Sequence, residues 1–463
     1  MSALLSLYHR LPAPLRTLVA SARGYHLRMW RYGLDHEEQV AAALERDRWT
    51  EARWQADRDT RLEQLLHRAA TQVPFYRDLW TARRRAGDRR SWSDLASWPV
   101  LTKDQLRASP LAFVADDRDP RRMFGEHTSG TTGKPLQLWF TRASLRAYYA
   151  IYEARVRRWA GVTRGDRWAN IGGQQIVPFR QSRPPFWVWN AGLHQLYLSS
   201  YHLSAEFVPH YLKALRDYEI RYVLGYSSSL HALAELALAN GIPCPTFTAM
   251  TSNAEPLYAF QRDAISKAFH TRVRETYGMS ELACSASECE HGTLHLWPDV
   301  GIVEILDDDG DAPTPPGSTG RIICTGLVNH DMPLIRYQVG DRGTLAAPNA
   351  RCECGRALPI LRAVEGRIDD VLITEDGRRI GRLDPIFKSD LPIHEAQIIQ
   401  ESLRRVRIKV VAAPGYIAAH GTTLAGNLRE RMGDVEVVIE LVTEIPRTAA
   451  GKFRAVVNQM NVT

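Results

Sequence analysis

Glycine and small hydroxyl residues alternate, followed by lysine and proline, in His127-Thr128-Ser129-Gly130-Thr131-Thr132-Gly133-Lys134-Pro135. Gly130 and Gly133 can take backbone conformations that other residues avoid, and they leave room for a ligand against the main chain. Consecutive amides in such a turn form a concavity that binds anions, and the hydroxyl groups and Lys134 add donors and positive charge. The stretch therefore predicts a loop that holds a polyphosphate.

The spacing differs from the common P-loop, which needs an earlier glycine and a hydroxyl residue directly after its lysine. Here Thr128 stands in place of that glycine, and Pro135 follows Lys134. The stretch instead resembles the phosphate loop of the AMP-forming adenylating enzymes: acyl-CoA synthetases, luciferases and adenylation domains. The order of lysine before proline is most similar to the phenylacetate–CoA ligase branch and its capsule-biosynthesis relatives. A flexible surface loop is the plainer alternative, which the motifs downstream disfavour.

Further motifs of these enzymes follow in the family's order. Ser252-Asn253-Ala254-Glu255-Pro256 is similar to the segment on the adenine side, although such a turn is unspecific when taken alone. In Tyr277-Gly278-Met279-Ser280-Glu281, the resemblance implies that Tyr277 stacks on adenine and that Glu281 carries Mg²⁺. A carboxylate suits this hard cation, which prefers oxygen ligands. Ser280 replaces the commoner threonine and keeps its hydroxyl group.

Two motifs resemble the parts that hold the ribose and the hinge. The segment 333–341 is similar to the ribose motif, in which Asp341 would accept hydrogen bonds from both ribose hydroxyls. In Gly366-Arg367-Ile368-Asp369-Asp370, the resemblance implies that Arg367 reaches the ribose or a phosphate. The same resemblance makes Asp369 the hinge of a mobile lid.

The last motif, 446–452, implies a catalytic lysine on that lid. Attack of a carboxylate on the α-phosphate of ATP brings two anions together, so catalysis depends on positioning and on fixed positive charge. Lys452 would bridge the carboxylate and the α-phosphate, while Lys134 and Arg367 would add charge near the phosphates. Withdrawal of Lys452 by a lid movement would then open the site to the acceptor.

The chain of 463 residues is long enough for at least two domains. Helices that alternate with short apolar runs favour an α/β fold with parallel strands. The resemblance implies a large N-terminal domain, 1–366, that binds ATP and the acid. Its mixed or parallel sheets would be flanked by helices, with a small β-barrel-like part, and 1–95 would be mainly helical. Residues 367–463 would form a small α+β lid.

Local patterns place several elements. Apolar residues at helical spacing predict an amphipathic helix over 60–73 that Pro74 ends. A second helix is predicted over 143–160. Residues 222–225 are predicted to form a buried strand, and Ser228 or Ser229 could cap the helix that follows it. The strand-like segments 300–306 and 321–325 flank a loop rich in Asp, Pro and Gly, which is typical of a long hairpin or small barrel.

Cysteine and histidine residues cluster in a pattern that predicts a structural zinc site. The four proposed ligands are Cys289, His295, Cys352 and Cys354. A similar group is found in some phenylacetate–CoA ligase relatives. His291 and Cys284 compete as ligands, and reduced cysteines without metal are the alternative.

The net charge of +7 and pI of about 9.1 fit a solvated basic surface, or attraction to anionic substrates or a membrane surface. Residues 1–33 mix Leu, Tyr and Trp with Arg and His, so a weak contact with a membrane surface is one interpretation. No apolar run approaches the roughly 18 residues that span a bilayer, and a cytoplasmic location is expected. The sequence leaves the oligomeric state open, a homodimer included.

These motifs predict an enzyme that uses ATP and Mg²⁺ to adenylate an organic acid and transfers the acyl group to CoA. Aromatic residues such as Trp187 and Trp189 could line a pocket for an aryl or arylacetic acid, or could be core residues. Another acceptor, namely an amine, a hydroxyl or a carrier thiol, or transfer of AMP itself, is the alternative. A nucleotide- or RNA-binding protein without catalysis is disfavoured because no RNA-recognition signature accompanies the motifs. No nucleic-acid partner is expected.

Overall fold

The computed structural model describes residues 3–127, 136–255, 257, 259–307, 310–365, 372–380, 386, 391–445 and 456–460. Several predicted residues lie outside this part of the chain: Thr128, Ser129, Gly130, Thr131, Thr132, Gly133, Lys134, Pro256, Arg367, Asp369 and Lys452. The predicted domain boundary near 366–369 lies outside it as well.

Helices cover the N-terminal region and both faces of the largest sheet. Within the described residues the α-helices are α1 (Ala3–Arg10), α2 (Ala13–Arg31), α3 (His36–Arg46), α4 (Glu51–Gln72), α5 (Pro74–Arg85), α6 (Lys103–Ala108), α7 (Arg142–Tyr152), α8 (Val208–Asp217), α9 (Ser227–Ala239), α10 (Ala259–Phe269) and α11 (Ala418–Met432). The predicted helix 60–73 is the second half of α4, which ends directly before Val73 and Pro74. Pro74 begins α5, where its missing amide hydrogen costs nothing.

The strands form sheets of different character. They are β1 (Phe124–His127), β2 (Gln137–Phe140), β3 (Trp168–Gly172), β4 (Trp187–Asn190), β5 (Gln195–Ser199), β6 (Tyr222–Tyr226), β7 (Ala249–Asn253), β8 (Val273–Gly278), β9 (Ser285–Glu288), β10 (Leu294–Leu296), β11 (Gly301–Leu306), β12 (Thr319–Gly326), β13 (Tyr337–Leu345), β14 (Leu361–Glu365), β15 (Leu372–Ile373), β16 (Arg379–Ile380), β17 (Ile393–Ser402), β18 (Arg405–Ala412), β19 (Glu436–Leu441) and β20 (Val456–Asn458).

The largest sheet has the order β10-β9-β8-β7-β6-β3-β5-β4. Its centre, from β5 to β8, is parallel, whereas β4, β9 and β10 pair antiparallel at the edges. The helices α9 and α10 connect β6 to β7 and β7 to β8, as parallel neighbours require. The predicted strand 222–225 is β6, and its first two residues are buried.

Two smaller sheets follow. The antiparallel sheet β11-β12-β13-β14 contains the predicted strands 300–306 and 321–325 as neighbours. The C-terminal sheet β19-β18-β17-β20 packs against α11, through Leu424 and Leu428, to form a small α+β unit. The α/β fold with a large mixed sheet, a curled smaller sheet and a C-terminal α+β part is therefore confirmed.

The predicted cap of α9 is wrong. The helix begins at Ser227, and no side chain of its preceding residue caps it. Ser228 and Ser229 are buried within the helix. The carboxylate of Glu255 instead accepts a hydrogen bond of 2.9 Å from the backbone N–H of Ser228. An acceptor that comes from the end of β7 cannot be found from the local sequence, because local rules search only the residues before the helix.

The predicted helix 143–160 is helical throughout but changes its winding. After α7, residues Glu153–Arg157 form a π-helical turn and Arg158–Ala160 a 3₁₀ turn. Such wide turns often occur at functional sites because they redirect side chains. Here the turn directs Arg155 into the protein interior, where its side chain has no exposed surface.

Arg155 joins three separate parts of the chain. Its Nε donates to Asp47 over 2.9 Å, and its Nη1 donates to Asp299 over 2.5 Å. Arg46 also donates to Asp299, over 3.0 Å. Burial by itself would raise the pKa of Asp299, but the positive charges of Arg155 and Arg46 outweigh it and keep that pKa below its usual range. The stabilisation is therefore present at neutral pH and is lost as the pH falls through this lowered pKa.

We expect Arg155→Ala to lower the free energy of unfolding by about 3 kcal/mol or more, because two buried carboxylates lose a partner. Urea denaturation at neutral pH measures the change. Arg53→Ala is the matched control, since the Arg53–Glu45 pair is 3.6 Å apart and its side chains are 59% and 61% exposed. Its loss should stay within about 1 kcal/mol. Equal losses in the two variants would contradict a structural role for the buried pair.

Candidate active site

A cavity of about 1030 Å³ lies where the ends of β7 and β8 approach β13. Nine predicted site residues line it: Asn253, Ala254, Glu255, Tyr277, Gly278, Met279, Ser280, Glu281 and Asp341. Crevices at the carboxyl ends of parallel strands are common ligand sites in α/β proteins. Ser252 is set apart from them, because it lies fully buried within β7 and its backbone oxygen accepts from Thr276.

Two tyrosine–carboxylate hydrogen bonds join the two sheets at this cavity. The hydroxyl of Tyr277, on β8, donates to Oδ2 of Asp341, on β13, over 2.9 Å. In the opposite direction, Tyr337, at the start of β13, donates to Oε1 of Glu281, after β8, over 2.8 Å. Each sheet thus contributes one tyrosine and one carboxylate. Three of these four residues were predicted as site residues. Tyr277 and Glu281 come from one motif and Asp341 from another, and the structure brings them together.

In the Tyr277–Asp341 hydrogen bond the phenol donates and the carboxylate accepts. Burial, reinforced by the negative charge of Asp341, raises the pKa of Tyr277 well above its usual value. The phenol therefore stays protonated and donates, while Asp341 accepts. A carboxylate has two oxygens, so its geometry suits a pair of donors such as vicinal hydroxyl groups.

The turn after β7 has a strained backbone. Ala254 adopts a positive φ of 64°, which residues with a side chain rarely take. Next to it, Oδ1 of Asn253 is buried and has no hydrogen-bond partner within the described residues. Strain of this kind collects at ligand sites, and both residues line the cavity.

Aromatic residues form another wall of the cavity, which the motif search did not find. They are Tyr148, Tyr149, Tyr152, Trp168 and Trp297. The signal was present in the predicted helix 143–160, where three tyrosines share one face because of their spacing. The tryptophans considered instead, Trp187 and Trp189, pack against the rings of Tyr211 and Tyr218 in the core.

One buried cation also reaches the cavity wall. Arg157 donates to Glu153 over 2.9 Å and to the hydroxyl of Tyr222 over 2.7 Å. Its guanidinium lies 5.1 Å from the ring centroid of Tyr152. The aromatic wall is therefore fixed from behind by a charged network rather than by apolar contacts alone.

The predicted metal ligands converge at a second place. The ligand atoms of Cys289, His295, Cys352 and Cys354 lie within 4.8 Å of one another. Sγ of Cys289 and Sγ of Cys352 are 3.7 Å apart, and Sγ of Cys354 is 3.3 Å from Nε2 of His295. Ligands of a tetrahedral zinc ion lie about 3.7 Å apart for two sulfurs and about 3.5 Å for sulfur and nitrogen. The cluster therefore has the dimensions of a closed zinc site.

The side chains of the two competing ligands do not join the cluster. His291 pairs with Glu353, with Nδ1 3.2 Å from the carboxylate. Sγ of Cys284 lies in the core, 3.1 Å from Sγ of Cys324. The second ring nitrogen of His295 lies 3.4 Å from the backbone oxygen of Leu358, which would orient the ring for a metal.

Comparison with known proteins gives relatives over most of the chain. CapK of Staphylococcus aureus is 25% identical over 98% of this chain and 99% of its own. A phenylacetate–coenzyme A ligase of Thermus thermophilus is 27% identical over 68% of this chain and 70% of its own. The family described as the CapK C-terminal domain matches residues 372–459.

Among solved structures, 2-hydroxyisobutyryl-CoA ligase superposes with a TM-score of 0.57 over 89% of this chain and 91% of its own. The two proteins are 21% identical, so the likeness shows a shared fold. That crystal structure holds 2-HIB-AMP and CoA in the thioesterification state.

We expect protein purified under reducing conditions, without chelators, to hold about one equivalent of zinc, and Cys354→Ala to lose most of it because one ligand is removed. Elemental analysis measures both. Cys244→Ala is the matched control, because Cys244 is a partly exposed cysteine outside the cluster. Less than about half an equivalent in the unaltered protein would contradict a resident metal.

Proposed function

We propose that this chain, which is similar to CapK and to phenylacetate–coenzyme A ligases, is an ATP-dependent carboxylate ligase of the AMP-forming adenylating type. The acid attacks the α-phosphate of ATP, which forms an acyl-adenylate and releases pyrophosphate. A thiol, proposed to be that of CoA, then attacks the acyl carbon and displaces AMP. The paired Tyr277–Asp341 and Tyr337–Glu281 bonds are the observation that supports this most strongly, because they assemble separate nucleotide motifs on one cavity.

The nucleotide is proposed to bind along this wall. The ring of Tyr277 would lie against adenine, beside the turn of Asn253 and Ala254 that lines the same cavity. Asp341 would accept from the ribose hydroxyls while Tyr277 holds it in place. Gly278 and Met279 would lie beside the base, and Ser280 connects them to Glu281 along the cavity wall.

Glu281 is proposed to hold Mg²⁺. Its side chain lines the cavity, and its Oε1 is fixed by Tyr337, so the carboxylate is oriented before any cation arrives. One carboxylate plus phosphate oxygens is the usual way in which proteins hold this ion. When bound, Mg²⁺ would neutralise charge on the phosphates. Lys134, Arg367 and the amides of 128–133 are proposed to add fixed positive charge there.

Residues 1–366 and 367–463 are proposed to be two domains that move against each other about Asp369. Lys452 would enter the cavity for adenylation and leave it for thiol attack. A domain movement of this kind lets one cavity serve two chemically different steps in turn, because the catalytic group of the first step is removed before the second.

The acid is proposed to be an aryl or arylacetic acid. The wall formed by Tyr148, Tyr149, Tyr152 and Trp297 offers flat apolar faces, to which an aromatic ring can stack. The tyrosine hydroxyls and the nearby Arg157 make the wall amphipathic, so a ring with polar substituents also fits.

A second candidate keeps the adenylate and changes the acceptor to an amine, a hydroxyl or a carrier thiol, or transfers AMP. The two relatives cover unequal shares of this chain, and this difference supports the second candidate. The phenylacetate–CoA ligase match covers 68% of this chain, whereas the CapK match covers 98%. The C-terminal family match, 372–459, lies in the proposed lid.

An exchange assay tests the proposal. We expect pyrophosphate to be exchanged into ATP when one acid from a panel of aryl, arylacetic and short aliphatic acids is present. Asp341→Ala should raise the KM for ATP about tenfold or more, since a charged hydrogen-bond acceptor is lost. Asp311→Ala is the control, because Asp311 lies in an exposed loop. Consumption of free CoA separates the two acceptor candidates. If none of the acids in the panel supports pyrophosphate exchange, adenylation is contradicted.

The role proposed for Lys452 can be tested separately from the nucleotide-binding roles proposed for Tyr277 and Asp341. We expect Lys452→Ala to lower the rate of acyl-adenylate formation about 100-fold or more, because one fixed charge on the transition state is removed. Thiol attack on a supplied acyl-adenylate should be largely spared. Lys409→Ala, on β18, is the control for a lysine of the same C-terminal region. Equal loss of both half-reactions would refute the proposed role.

A further inference from the structure

The outer face of α2 carries a continuous apolar stripe. Its members are Leu15, Leu18, Val19, Ala22, Tyr25 and Met29, all exposed. Their spacing follows the turn of an α-helix, so they share one side. With Leu7 of α1, they include 6 of the 12 large hydrophobic residues that are exposed in the described part of the chain. Leu18 is 65% exposed and Met29 59% exposed.

The opposite face of α2 is fixed to the protein by close and polar contacts. Gly24 lies against Asn190 so closely that a Cβ atom would meet its side chain at 1.8 Å. Arg16 is buried and donates to Gln181 over 2.9 Å. Ser21 accepts from the backbone N–H of Ala191 over 3.0 Å. Ala20 and Trp30 also pack inward, yet the helix still presents a row of apolar residues to the outside, where an ordinary surface helix carries polar ones.

The charge around the stripe has one sign. Residues 1–34 contain five arginines, two histidines and no aspartate or glutamate. Arg10, Arg23 and Arg28 are exposed, and none forms an ion pair with the residues that the structure describes. At about 100° per residue, Arg23 and Arg28 fall on opposite sides of the stripe. An apolar strip between two cationic edges is the arrangement of a helix that lies in a membrane interface.

We propose that α1 and α2 dock this protein on an anionic lipid surface. Leu15, Leu18, Tyr25 and Met29 would enter the boundary between headgroups and acyl chains. The exposed Arg10, Arg23 and Arg28 would meet lipid phosphates beside them. The helix of 19 residues is about 28 Å long and would lie along the surface. No helix among the described residues is long and apolar enough to cross a membrane, so the contact is peripheral.

A lipid surface fits better than a second copy of the chain. Pairing two copies through this face would bring together two sets of arginines with no carboxylate on either helix to neutralise them. A bilayer with anionic headgroups satisfies both the apolar strip and its cationic edges. The inference does not depend on the proposed reaction, because no residue of the stripe is among those assigned to adenylation.

The test is flotation of the full-length protein with vesicles of phosphatidylcholine, either alone or in an equimolar mixture with phosphatidylglycerol. We expect binding to the anionic vesicles that weakens with added salt. Leu18→Glu should reduce the bound fraction about tenfold, because a charge replaces an inserted leucine. Replacing both Arg10 and Arg23 by Gln should lower affinity for anionic vesicles about fivefold per arginine.

Leu111→Glu is the matched control. The exposed fraction of Leu111, 59%, is similar to the 65% of Leu18. Leu111 lies outside α1 and α2, so this variant should bind like the unaltered protein. The proposal fails if the unaltered protein floats with neither vesicle, or if both glutamate variants bind equally. It also fails if light scattering shows that Leu18→Glu converts a dimer into a monomer while vesicles are not bound, since a second copy would then cover the stripe.

Discussion

Two hydrogen bonds between tyrosine and carboxylate, running in opposite directions, connect the parallel sheet to the antiparallel sheet at the cavity. Tyr277 donates to Asp341, and Tyr337 donates to Glu281. The distance between the sheets is thereby set by the same groups that line the cavity. Because Tyr337 has no exposed surface and Glu281 is 8% exposed, the Glu281 carboxylate cannot turn away without breaking a buried hydrogen bond. The site is therefore oriented before a ligand binds, which is what transfer between anions requires.

Two other features stabilise the same junction from outside the cavity. The Cys289–His295 arm follows β9, and Cys352 and Cys354 lie between β13 and β14, so a metal at this cluster would join the two sheets at their far edge. Arg155 binds Asp299, just before β11, from the helical layer. The junction is thus held by hydrogen bonds at the cavity and by buried ion pairs at Asp299. A metal at the cysteine cluster would add a third attachment.

The fold class could be predicted from sequence because its signals are local or ordered along the chain. Helical spacing located α4, an apolar run located β6, and the resemblance assigned Tyr277 and Asp341 to one nucleotide site. What could not be predicted depends on distant partners. Glu255 caps α9 from another strand, so the nearby serines misled the prediction. The sequence left Cys284 as a competitor of Cys289, and the packing of Cys284 against Cys324 removes it from the cluster. The aromatic wall was missed because tyrosines at helical spacing are also typical of a core.

A crystal structure with a non-hydrolysable ATP analogue tests most directly whether Tyr277 and Asp341 hold the nucleotide. We expect adenine against the ring of Tyr277 and both ribose hydroxyls within about 3.2 Å of the Asp341 carboxylate. We also expect phosphates beside residues 128–134, with Glu281 facing the cation that accompanies them. A nucleotide bound away from the Tyr277–Asp341 wall, or phosphates far from that loop, would contradict the proposed binding.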